Sequence, residues 1–359
     1  MKKLRIGFLS TAGIGKKNWK AIFNSGNCIV TAVASRDIGK SRKFIDDCSR
    51  EAAFETQPAA LGSYEELLAS KNVDAVYVPL PTSLRKEWVM HAANSGKHVV
   101  CEKPCAVSAA SLAEMLSACK KNNVQFMDGV MFMHSQRLAR VRETLDDGAS
   151  VGQIKRIVAQ FSFPGHEEFF HKNIRVNAAL EPAGCLGDLG WYDIRFALWA
   201  LNWQLPREVS ARTLAQTGSS VPTDFSTELF FDGGVSASLY CSFINFRQQW
   251  VHVSGTKGYL QISDFVNPFY GGELGFEVTN IGQDGYNILA GSRRVSVAEH
   301  SNGHPTAQES NMFRNFANQI FSGQLNDDWP MWSVKTQKVL DACLESSRRN
   351  ASVKLESKL

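Results

Sequence analysis

The chain has 359 residues, of which 44% are hydrophobic and 21% are charged, with 39 basic and 35 acidic side chains. This length predicts two domains, and the composition is that of a globular protein rather than a disordered one. The formal net charge of +4 arises without a run of basic residues, so we expect no nucleic-acid partner. The apolar runs are too short to cross a bilayer and the first residues lack the features of a secretory signal, so we expect no membrane association.

Eight cysteines are spread along the chain without a CxxC pair. This pattern predicts reduced thiols rather than a disulfide framework, and we interpret Cys101 and Cys105 as small buried residues. The histidines lack metal-ligand spacing with a carboxylate, so we expect no metal.

Short apolar strands alternate with helical segments over residues 1–128. Examples are the strands "LRIGFLS", "CIVTAVAS" and "VDAVYVPL" and the helix "GKKNWKAIFNS", which Gly26 ends. Ser63 and Glu66 have the spacing of a capping box at the start of another helix. Such alternation predicts a parallel sheet covered on both faces, with ligands at the carboxyl ends of its strands. We therefore predict a Rossmann dinucleotide-binding domain over residues 1–128.

The turn after the first strand reads "STAGIG", where a dinucleotide fold places G-x-G-x-x-G. Ser10, Ala12 and Gly15 occupy the three glycine positions. Small residues still let the backbone approach a pyrophosphate, and the helix that follows presents free N–H groups to it. A tight turn without a ligand is the alternative interpretation. The candidate cofactor residues of this turn are Ser10, Thr11, Ala12, Gly13, Ile14 and Gly15.

Ser35 and Arg36 occupy the end of the second strand. An acidic residue in this place binds the ribose 2′-hydroxyl of NAD and repels a 2′-phosphate. A hydroxyl and a guanidinium instead suit a phosphate, which favours NADP over NAD. Asp37 keeps NAD open as a less favoured cofactor, and a solvated Arg36 is the alternative role for that side chain.

Longer strands with period-two alternation follow from residue 129 onward. Segments such as "GQIKRIVAQFSF", "VSASLYCSFI" and "WVHVSGTKGYLQIS" predict a large, mostly antiparallel open sheet with one face covered. Aromatic residues on the other face predict pairing with a second subunit as a homodimer. A helix within "WSVKTQKVLDACLESSRRN" ends the fold. We assign residues 129–359 to an α+β domain for substrate binding and oligomerisation.

An apolar helix within "EPAGCLGDLGWYDIRFALWALNW" carries polar groups of interest. Asp188 and Tyr192 are four residues apart and therefore share a helix face, and Arg195 lies near the same face. A phenol removes a hydroxyl proton at neutral pH only with a cation beside it, because its ordinary pKa is about 10. Lys103, at the carboxyl end of a predicted strand, is the candidate cation, and an exposed lysine after a strand is the alternative.

Several motifs together resemble one known family. "EKP" at residues 102–104, after a Rossmann domain, and "GDLGWYDIRFALW" at 187–199 resemble the glucose–fructose oxidoreductase, inositol dehydrogenase and rhizopine catabolism (Gfo/Idh/MocA) family. The similarity is greatest to the branch of dimeric dihydrodiol dehydrogenase, NADP-dependent D-xylose dehydrogenase and plant-type oxidoreductases. Further matches, in the expected order along nearly the whole chain, are "VYVPLPTSL" at 76–84, "VQFMDGVMFMHSQR" at 124–137, "IRV" at 174–176 and "GTKG" at 255–258.

The resemblance implies roles for individual residues. Lys103 is the implied active-site lysine, beside a Pro104 that often follows a cis bond, and Tyr192 is the implied proton-transfer residue. Asp188 is implied to bind the substrate or to orient Tyr192. The implied cofactor contacts outside the first turn are Ser35, Arg36, Pro79, Leu80, Pro81, Glu102 and Lys103. The implied lining of the substrate mouth is Phe132, His134, Arg137 and Arg175, with Asp188 and Tyr192.

The chain also departs from the family pattern. The usual glycine run before the helix is "PAG" at residues 182–184, Arg85 replaces a common histidine, and Asp193 replaces a small residue. These departures affect the expected substrate more than the expected chemistry. We hypothesise an NADP-dependent oxidoreductase that acts on a sugar, polyol or cyclic diol. The alternatives are a non-catalytic NADP-binding sensor or regulator and an NAD enzyme.

The residues Ser357, Lys358 and Leu359 form the tripeptide of a peroxisomal address. In a eukaryote this tripeptide predicts binding to the peroxisomal import receptor and a location in peroxisomes or glycosomes. Otherwise we expect a cytoplasmic protein.

Overall fold

The computed structural model describes residues 2–271, 273–284, 286–301 and 303–355. The chain forms two compact units. The first comprises Met1–Ser135 and His300–Val334, and the second comprises Gln136–Glu299 and Lys335–Leu359. The Ser357–Lys358–Leu359 tripeptide lies outside the described residues.

The first unit contains a six-stranded sheet and its covering helices. Its elements are β1 Leu4–Leu9, α1 Ile14–Ser25, β2 Cys28–Ala34, α2 Ile38–Ser49, β3 Ala59–Leu61, α3 Tyr64–Ala69, β4 Ala75–Val78, α4 Thr82–Asn94, β5 His98–Cys101, α5 Ala109–Lys121, β6 Phe126–Asp128 and a 3₁₀ turn, Met131–His134.

The six strands pair in parallel in the order β3-β2-β1-β4-β5-β6. This is the strand order of a doubly wound dinucleotide-binding fold, and it confirms the prediction for the N-terminal region. The strands form because helices cover both faces, which lets almost continuous apolar runs such as β4 be buried at every position. The order reverses between β1 and β4, so their carboxyl ends open a crevice.

Predicted helix ends appear at the expected residues. Gly26 follows α1 in the left-handed conformation, with φ of 81°. Ser63 caps α3 by accepting a hydrogen bond from the Glu66 N–H at 3.1 Å, and the Glu66 carboxylate accepts one from the Gly62 N–H. Local sequence was therefore sufficient to place these termini.

The first unit also includes a returning segment with helix α9, Gln308–Phe321. Lys17 of α1 forms an ion pair with Glu309 at 2.7 Å, and the Arg314 guanidinium binds the carbonyl oxygens of Asn24 and Ser25. The division therefore differs from the predicted boundary at residue 128, because α9 packs on α1 and residues 129–135 stay with the first unit.

The second unit contains a nine-stranded sheet. Its elements are α6 Gln136–Asp146, β7 Ile154–Ser162, α7 Glu167–Lys172, a 3₁₀ turn Ile174–Val176, a π-helical turn Leu186–Gly190, α8 Trp191–Ala200, β8 Glu208–Gln216, β9 Pro222–Phe230, a 3₁₀ turn Asp232–Gly234, β10 Ser236–Ser242, β11 Gln248–Gly255, β12 Tyr259–Ile262, β13 Gly275–Asp284, β14 Asn287–Ser296, the end of α10 Asp328–Arg349, and β15 Val353–Lys354.

The strands of this sheet lie in the order β14-β13-β12-β11-β7-β10-β9-β8-β15. Strands β7 and β10 pair in parallel, and the other neighbours pair antiparallel, so the predicted mostly antiparallel sheet is confirmed. Alternate side chains of β11 are buried, and α8 packs on the nearby strands β7 and β10. Ser346 and Ser347 of α10 accept hydrogen bonds from the backbone of β8.

All eight cysteines are buried free thiols, as expected for small core residues. Within the described chain, every helix is too short or too polar to span a bilayer.

Candidate active site

The first strand–helix turn has the tight geometry that the cofactor prediction requires. Ser10 has a φ of 131°, a conformation that side chains rarely adopt, and its hydroxyl accepts a hydrogen bond from the Ala12 N–H at 3.0 Å. A Cβ added to Gly15 would lie 3.0 Å from the ring of Phe44 on α2 and 3.4 Å from that of Phe8 on β1. Glycine at position 15 therefore lets α1 pack closely on α2 and on the sheet, as the third glycine of a dinucleotide motif does.

The loop after β2 contains an exposed arginine and an aspartate that caps the next helix. Ser35 is buried and Arg36 is exposed. The Asp37 carboxylate caps α2 by accepting a hydrogen bond from the Gly39 N–H at 2.8 Å. Asp37 was the reason for keeping NAD as a less favoured cofactor. Because its carboxylate caps α2, it has a structural role.

The loop after β4 is held by a buried arginine. Pro79 and Leu80 are buried and Pro81 is half-buried. Arg85, 5% exposed, donates from Nε to the Leu80 carbonyl at 2.7 Å and from Nη1 to the Pro104 carbonyl. Arg85 therefore ties this loop to the turn after β5. From the sequence, Arg85 was noted only as a departure from the family, and the adjacent Lys86 and Glu87 give no local signal that it is buried.

The turn after β5 carries the candidate lysine. The Glu102 N–H donates to the Val78 carbonyl at 3.3 Å, which extends the pairing of β5 with β4. Glu102 is 8% exposed, Lys103 is half-buried, and the Lys103–Pro104 peptide bond is cis. The lysine thus lies at the carboxyl edge of the sheet, where this fold binds ligands.

Phe132 and His134 belong to the 3₁₀ turn that follows β6. Phe132 is buried, and His134 lies 3.2 Å from the Asn315 amide, with its ring 5.8 Å from that of Trp329. His134 also borders a cleft of about 470 Å³ with Met133, Asn315, Asn318, Gln319, Ser322, Trp329 and Trp332. Their predicted contacts with substrate stay a prediction.

In the second unit, Arg175, Asp188 and Tyr192 lie together. The Arg175 guanidinium donates from Nε to Oδ2 of Asp188 at 2.9 Å, and the charge of Asp188 raises the pKa of Arg175. Arg175 and Tyr192 also interact electrostatically. Tyr192 is 6% exposed, and its ring contacts that of Phe161 edge-on at 5.7 Å. Three predicted residues therefore lie together in the structure, and they supply a cation, a carboxylate and a phenol.

Asp188 lies in a π-helical turn, Leu186–Gly190. The four-residue spacing of Asp188 and Tyr192 had predicted that both lie in one α-helix. The preceding Gly184 has a φ of 49°, and a Cβ there would collide with the Pro222 carbonyl. The widened turn leads directly into α8, which carries Tyr192. Such turns are frequent at functional sites.

Two further arginines of the second unit have buried polar partners. Arg137 is 3% exposed and binds Asp264 through Oδ1 at 2.5 Å and through the carbonyl at 2.8 Å. Arg195 is fully buried, donates to the Thr336 hydroxyl at 2.7 Å, and lies near the rings of Trp191 and Trp203. This position differs from the predicted face with Asp188 and Tyr192, because the Arg195 guanidinium points into the core.

Family models match both parts of this chain. Residues 4–130 match an oxidoreductase family with an NAD-binding Rossmann fold, and residues 138–261 match the GFO/IDH/MocA C-terminal domain. An NADP⁺-dependent D-xylose 1-dehydrogenase from Haloferax volcanii is 30% identical over 98% of this chain and 100% of its own length. This protein belongs to the Gfo/Idh/MocA oxidoreductase family. The resemblance inferred from the motifs is confirmed.

Other similar proteins have related chemistry. A trans-1,2-dihydrobenzene-1,2-diol dehydrogenase from Mus musculus is 30% identical over 83% of this chain and 86% of its own length. A 3-ketoreductase from Actinomadura kijaniata, solved in complex with NADP and TDP-benzene, has a TM-score of 0.83 and 25% identity, and the alignment covers 96% of this chain and 98% of that one. The family is thus represented by dehydrogenases and a reductase.

The first unit of this Gfo/Idh/MocA protein fits a dinucleotide. The tight turn at Ser10–Gly15 places the N-terminus of α1 directly after β1, where such a fold binds phosphates, and the exposed Arg36 provides a cation for them. Across the described residues, no group of three or more His, Cys, Asp or Glu side chains is arranged to hold a metal ion. The expected absence of a metal stays a prediction.

Proposed function

We propose that this protein is an NADP-dependent oxidoreductase that interconverts a secondary alcohol and a carbonyl on a sugar, polyol or cyclic diol. The observation that carries the proposal is the grouping of Arg175, Asp188 and Tyr192 in a chain whose other unit fits a dinucleotide. The names of the D-xylose and dihydrodiol dehydrogenases that it resembles support the substrate class.

The residues of the chain have distinct tasks in this proposal. The cofactor is held by Ser10–Gly15, Ser35, Arg36, Pro79–Pro81 and Glu102. Bound NADP⁺ supplies a hydride acceptor. Tyr192 takes the hydroxyl proton during oxidation and returns it during reduction. Arg175, which interacts electrostatically with Tyr192, supplies positive charge that favours the phenolate. The family resemblance assigns Lys103 contacts with the cofactor and the substrate hydroxyl. Asp188, anchored by Arg175, binds a substrate hydroxyl or orients Tyr192.

The substitutions Lys103→Met and Tyr192→Phe test this mechanism, because each removes one polar group and keeps most of the side-chain volume. We expect both variants to bind NADPH and to lose at least about a hundredfold in kcat, in line with general acid–base contributions. Near-normal turnover by both variants with NADP bound would contradict the mechanism. The matched control is Lys121→Met, which removes an exposed lysine of α5.

The substrate is best sought by measuring NADPH formation with aldoses, polyols, inositols and dihydrodiols. The rival function is a non-catalytic NADP-binding regulator, and the dehydrogenase and reductase relatives favour catalysis over it. A partner protein captured only in the presence of NADP, together with no turnover in the screen, would favour the regulator. Titration of the protein with NAD and with NADP compares the two affinities, and tighter binding of NAD would indicate an NAD enzyme.

We also propose that two copies pair through the open face of the nine-stranded sheet. Four aromatic side chains are half-buried on this sheet, namely Tyr240 on β10, Trp250 and His252 on β11, and Tyr259 on β12. The His252 and Tyr259 rings lie 4.7 Å apart. Such an aromatic surface is typical of a subunit interface. Light scattering of wild type and Trp250→Arg tests the proposal, since we expect a dimer that the arginine converts to monomer. A wild-type monomer at micromolar concentration would contradict it.

The location in peroxisomes or glycosomes stays a proposal that rests on Ser357, Lys358 and Leu359. A receptor reads this tripeptide at a free C-terminus. A fluorescent protein fused to the N-terminus should be punctate in eukaryotic cells and become diffuse when the tripeptide is deleted. A diffuse pattern for both fusions would favour the cytoplasm.

A further inference from the structure

Three side chains from different elements meet inside the first unit. Asn18 lies on α1, Tyr77 on β4, and Glu102 directly after β5. The Tyr77 hydroxyl donates to Oε1 of Glu102 at 2.6 Å, and the Asn18 amide donates to the Tyr77 hydroxyl at 2.6 Å. The same amide lies 3.4 Å from Oε1 of Glu102. The three groups therefore form a closed hydrogen-bonded triangle.

The direction of these hydrogen bonds is fixed by chemistry. Burial and the adjacent charge of Glu102 raise the pKa of Tyr77 well above its ordinary value, so its hydroxyl keeps its proton. The Asn18 nitrogen only donates, so the Tyr77 hydroxyl accepts from Asn18 and donates to Glu102. The chain of donors ends on the carboxylate. Both contacts go to Oε1, so Oε2 remains available as an acceptor.

The surroundings separate the role of the hydroxyl from that of the ring. The Tyr77 side chain is fully buried, and its ring lies 5.1 Å from Phe8 and 6.1 Å from Phe313. A phenylalanine at position 77 would satisfy the same aromatic contacts. The hydroxyl therefore adds a polar group to an apolar site, and such a group is stabilised only through its hydrogen bonds.

The triangle joins the segments that line the carboxyl edge of the sheet. Asn18 is one turn into the helix that the Ser10–Gly15 turn begins, and Glu102 immediately precedes Lys103. Gly129 closes the other side, because a Cβ there would lie 3.2 Å from Oε1 of Glu102. A carboxylate fixed between these segments has little freedom to change rotamer.

We propose that Asn18 and Tyr77 are positioning residues that orient the Glu102 carboxylate as a hydrogen-bond acceptor for a hydroxyl or amide donor of the bound dinucleotide. The proposal rests on the proposed function, in which Glu102 contacts NADP. By fixing the carboxylate before binding, the pair removes the conformational freedom that Glu102 would otherwise lose with the cofactor. The same restraint holds the backbone that leads into Lys103.

A double-mutant cycle tests the proposal with NADPH itself. Titration by nicotinamide fluorescence gives the Kd of wild type, Tyr77→Phe, Glu102→Ala and the double variant, and thermal unfolding without cofactor verifies the fold. We expect Tyr77→Phe to weaken NADPH binding about tenfold, the typical effect of one hydrogen bond to a charged group. In the Glu102→Ala background, the same substitution should change the Kd less than about twofold, because the positioned group is absent.

Further variants sharpen the interpretation. Asn18→Leu should weaken binding less than Tyr77→Phe, because the tyrosine still donates to Glu102 in that variant. Tyr270→Phe is the control, since it removes the hydroxyl of a residue that is 92% exposed. An unchanged Kd for Tyr77→Phe would overturn the inference, as would an equal effect with and without Glu102. A wild type that does not bind NADPH would instead overturn the proposed function, and with it the inference.

Discussion

The Arg175 guanidinium donates a hydrogen bond from Nε to Oδ2 of Asp188 at 2.9 Å, across 13 residues of sequence. The Asp188 side chain is 14% exposed and that of Arg175 is 43% exposed. The carboxylate is therefore held from one side by a cation that still reaches solvent. The neighbouring Tyr192 phenol makes this pair the centre of the proposed chemistry.

Replacing Arg175 with methionine should reduce kcat/KM about 10- to 100-fold, because Asp188 loses a hydrogen bond of the charge-assisted kind. Steady-state kinetics with the substrate identified by screening measures the effect. Lys172→Met is the matched control, since Lys172 pairs with Glu168 on an exposed helix face. Equal kinetics for wild type and Arg175→Met would contradict the anchoring role.

Replacing Arg36 with alanine should raise the Kd for NADPH by about tenfold or more and leave the Kd for NADH nearly unchanged, because only NADPH carries the 2′-phosphate. Fluorescence titration with both cofactors measures the ratio. Arg50→Ala removes a comparably exposed cation from the end of α2 and should alter neither constant. A parallel loss of affinity for NADPH and NADH would show that Arg36 does not read the phosphate.

Replacing Arg137 with methionine should reduce the free energy of unfolding by about 3–5 kcal/mol, because Asp264 would remain as a buried carboxylate without its cation. Urea unfolding provides the measurement. Arg140→Met, which breaks an exposed pair with Glu143 on the same helix, should cost less than about 1 kcal/mol. If Arg137→Met unfolds like wild type but raises KM for substrate, the side chain belongs to the substrate mouth.

Asp193 should make stability depend on pH. It is fully buried, both carboxylate oxygens lack a hydrogen-bond partner among the described residues, and burial raises its pKa well above the ordinary range. The unfolded chain releases this proton at about pH 3.9, whereas the raised pKa makes the folded protein retain it to higher pH. Stability from this group is therefore present below that pH and is lost as pH rises toward the folded-state pKa.

The substitution Asp193→Asn should flatten this dependence, since the amide does not ionise. Urea unfolding between about pH 4 and pH 8 compares the slopes of wild type, Asp193→Asn and the exposed control Asp46→Asn. We expect Asp193→Asn to be the more stable protein at neutral pH and Asp46→Asn to follow wild type. A slope unchanged by Asp193→Asn would mean that the carboxylate finds a stabilising partner.

Much of the first unit was predictable from local patterns. Buried strands, the glycine after α1 and the Ser63–Glu66 capping box depend on residues within a few positions of one another. The position of Lys103 after β5 followed from the same strand pattern and from the "EKP" motif. The NADP preference is also a local prediction, because Ser35 and Arg36 follow a strand directly.

Contacts between distant segments were not predictable in this way. The place of α9 in the first unit was not predicted, because its packing on α1 involves an ion pair between residues 17 and 309, which are far apart in sequence. Arg137 was expected at the substrate mouth because of its motif, and Arg195 was expected near the helix face of Asp188 and Tyr192 because of its spacing. The structure shows that their guanidinium groups bind Asp264 and Thr336, which are far along the chain.

The sequence by itself determined the family, the parallel sheet of the Rossmann domain and the residues able to supply a phenol, a carboxylate and a cation. Only the tertiary structure decided which of those groups are engaged. It paired Arg175 with Asp188 and closed the Asn18–Tyr77–Glu102 triangle. The physical reason is that helix and strand periodicities are encoded over a few residues, whereas a hydrogen bond between distant segments depends on how the whole chain packs.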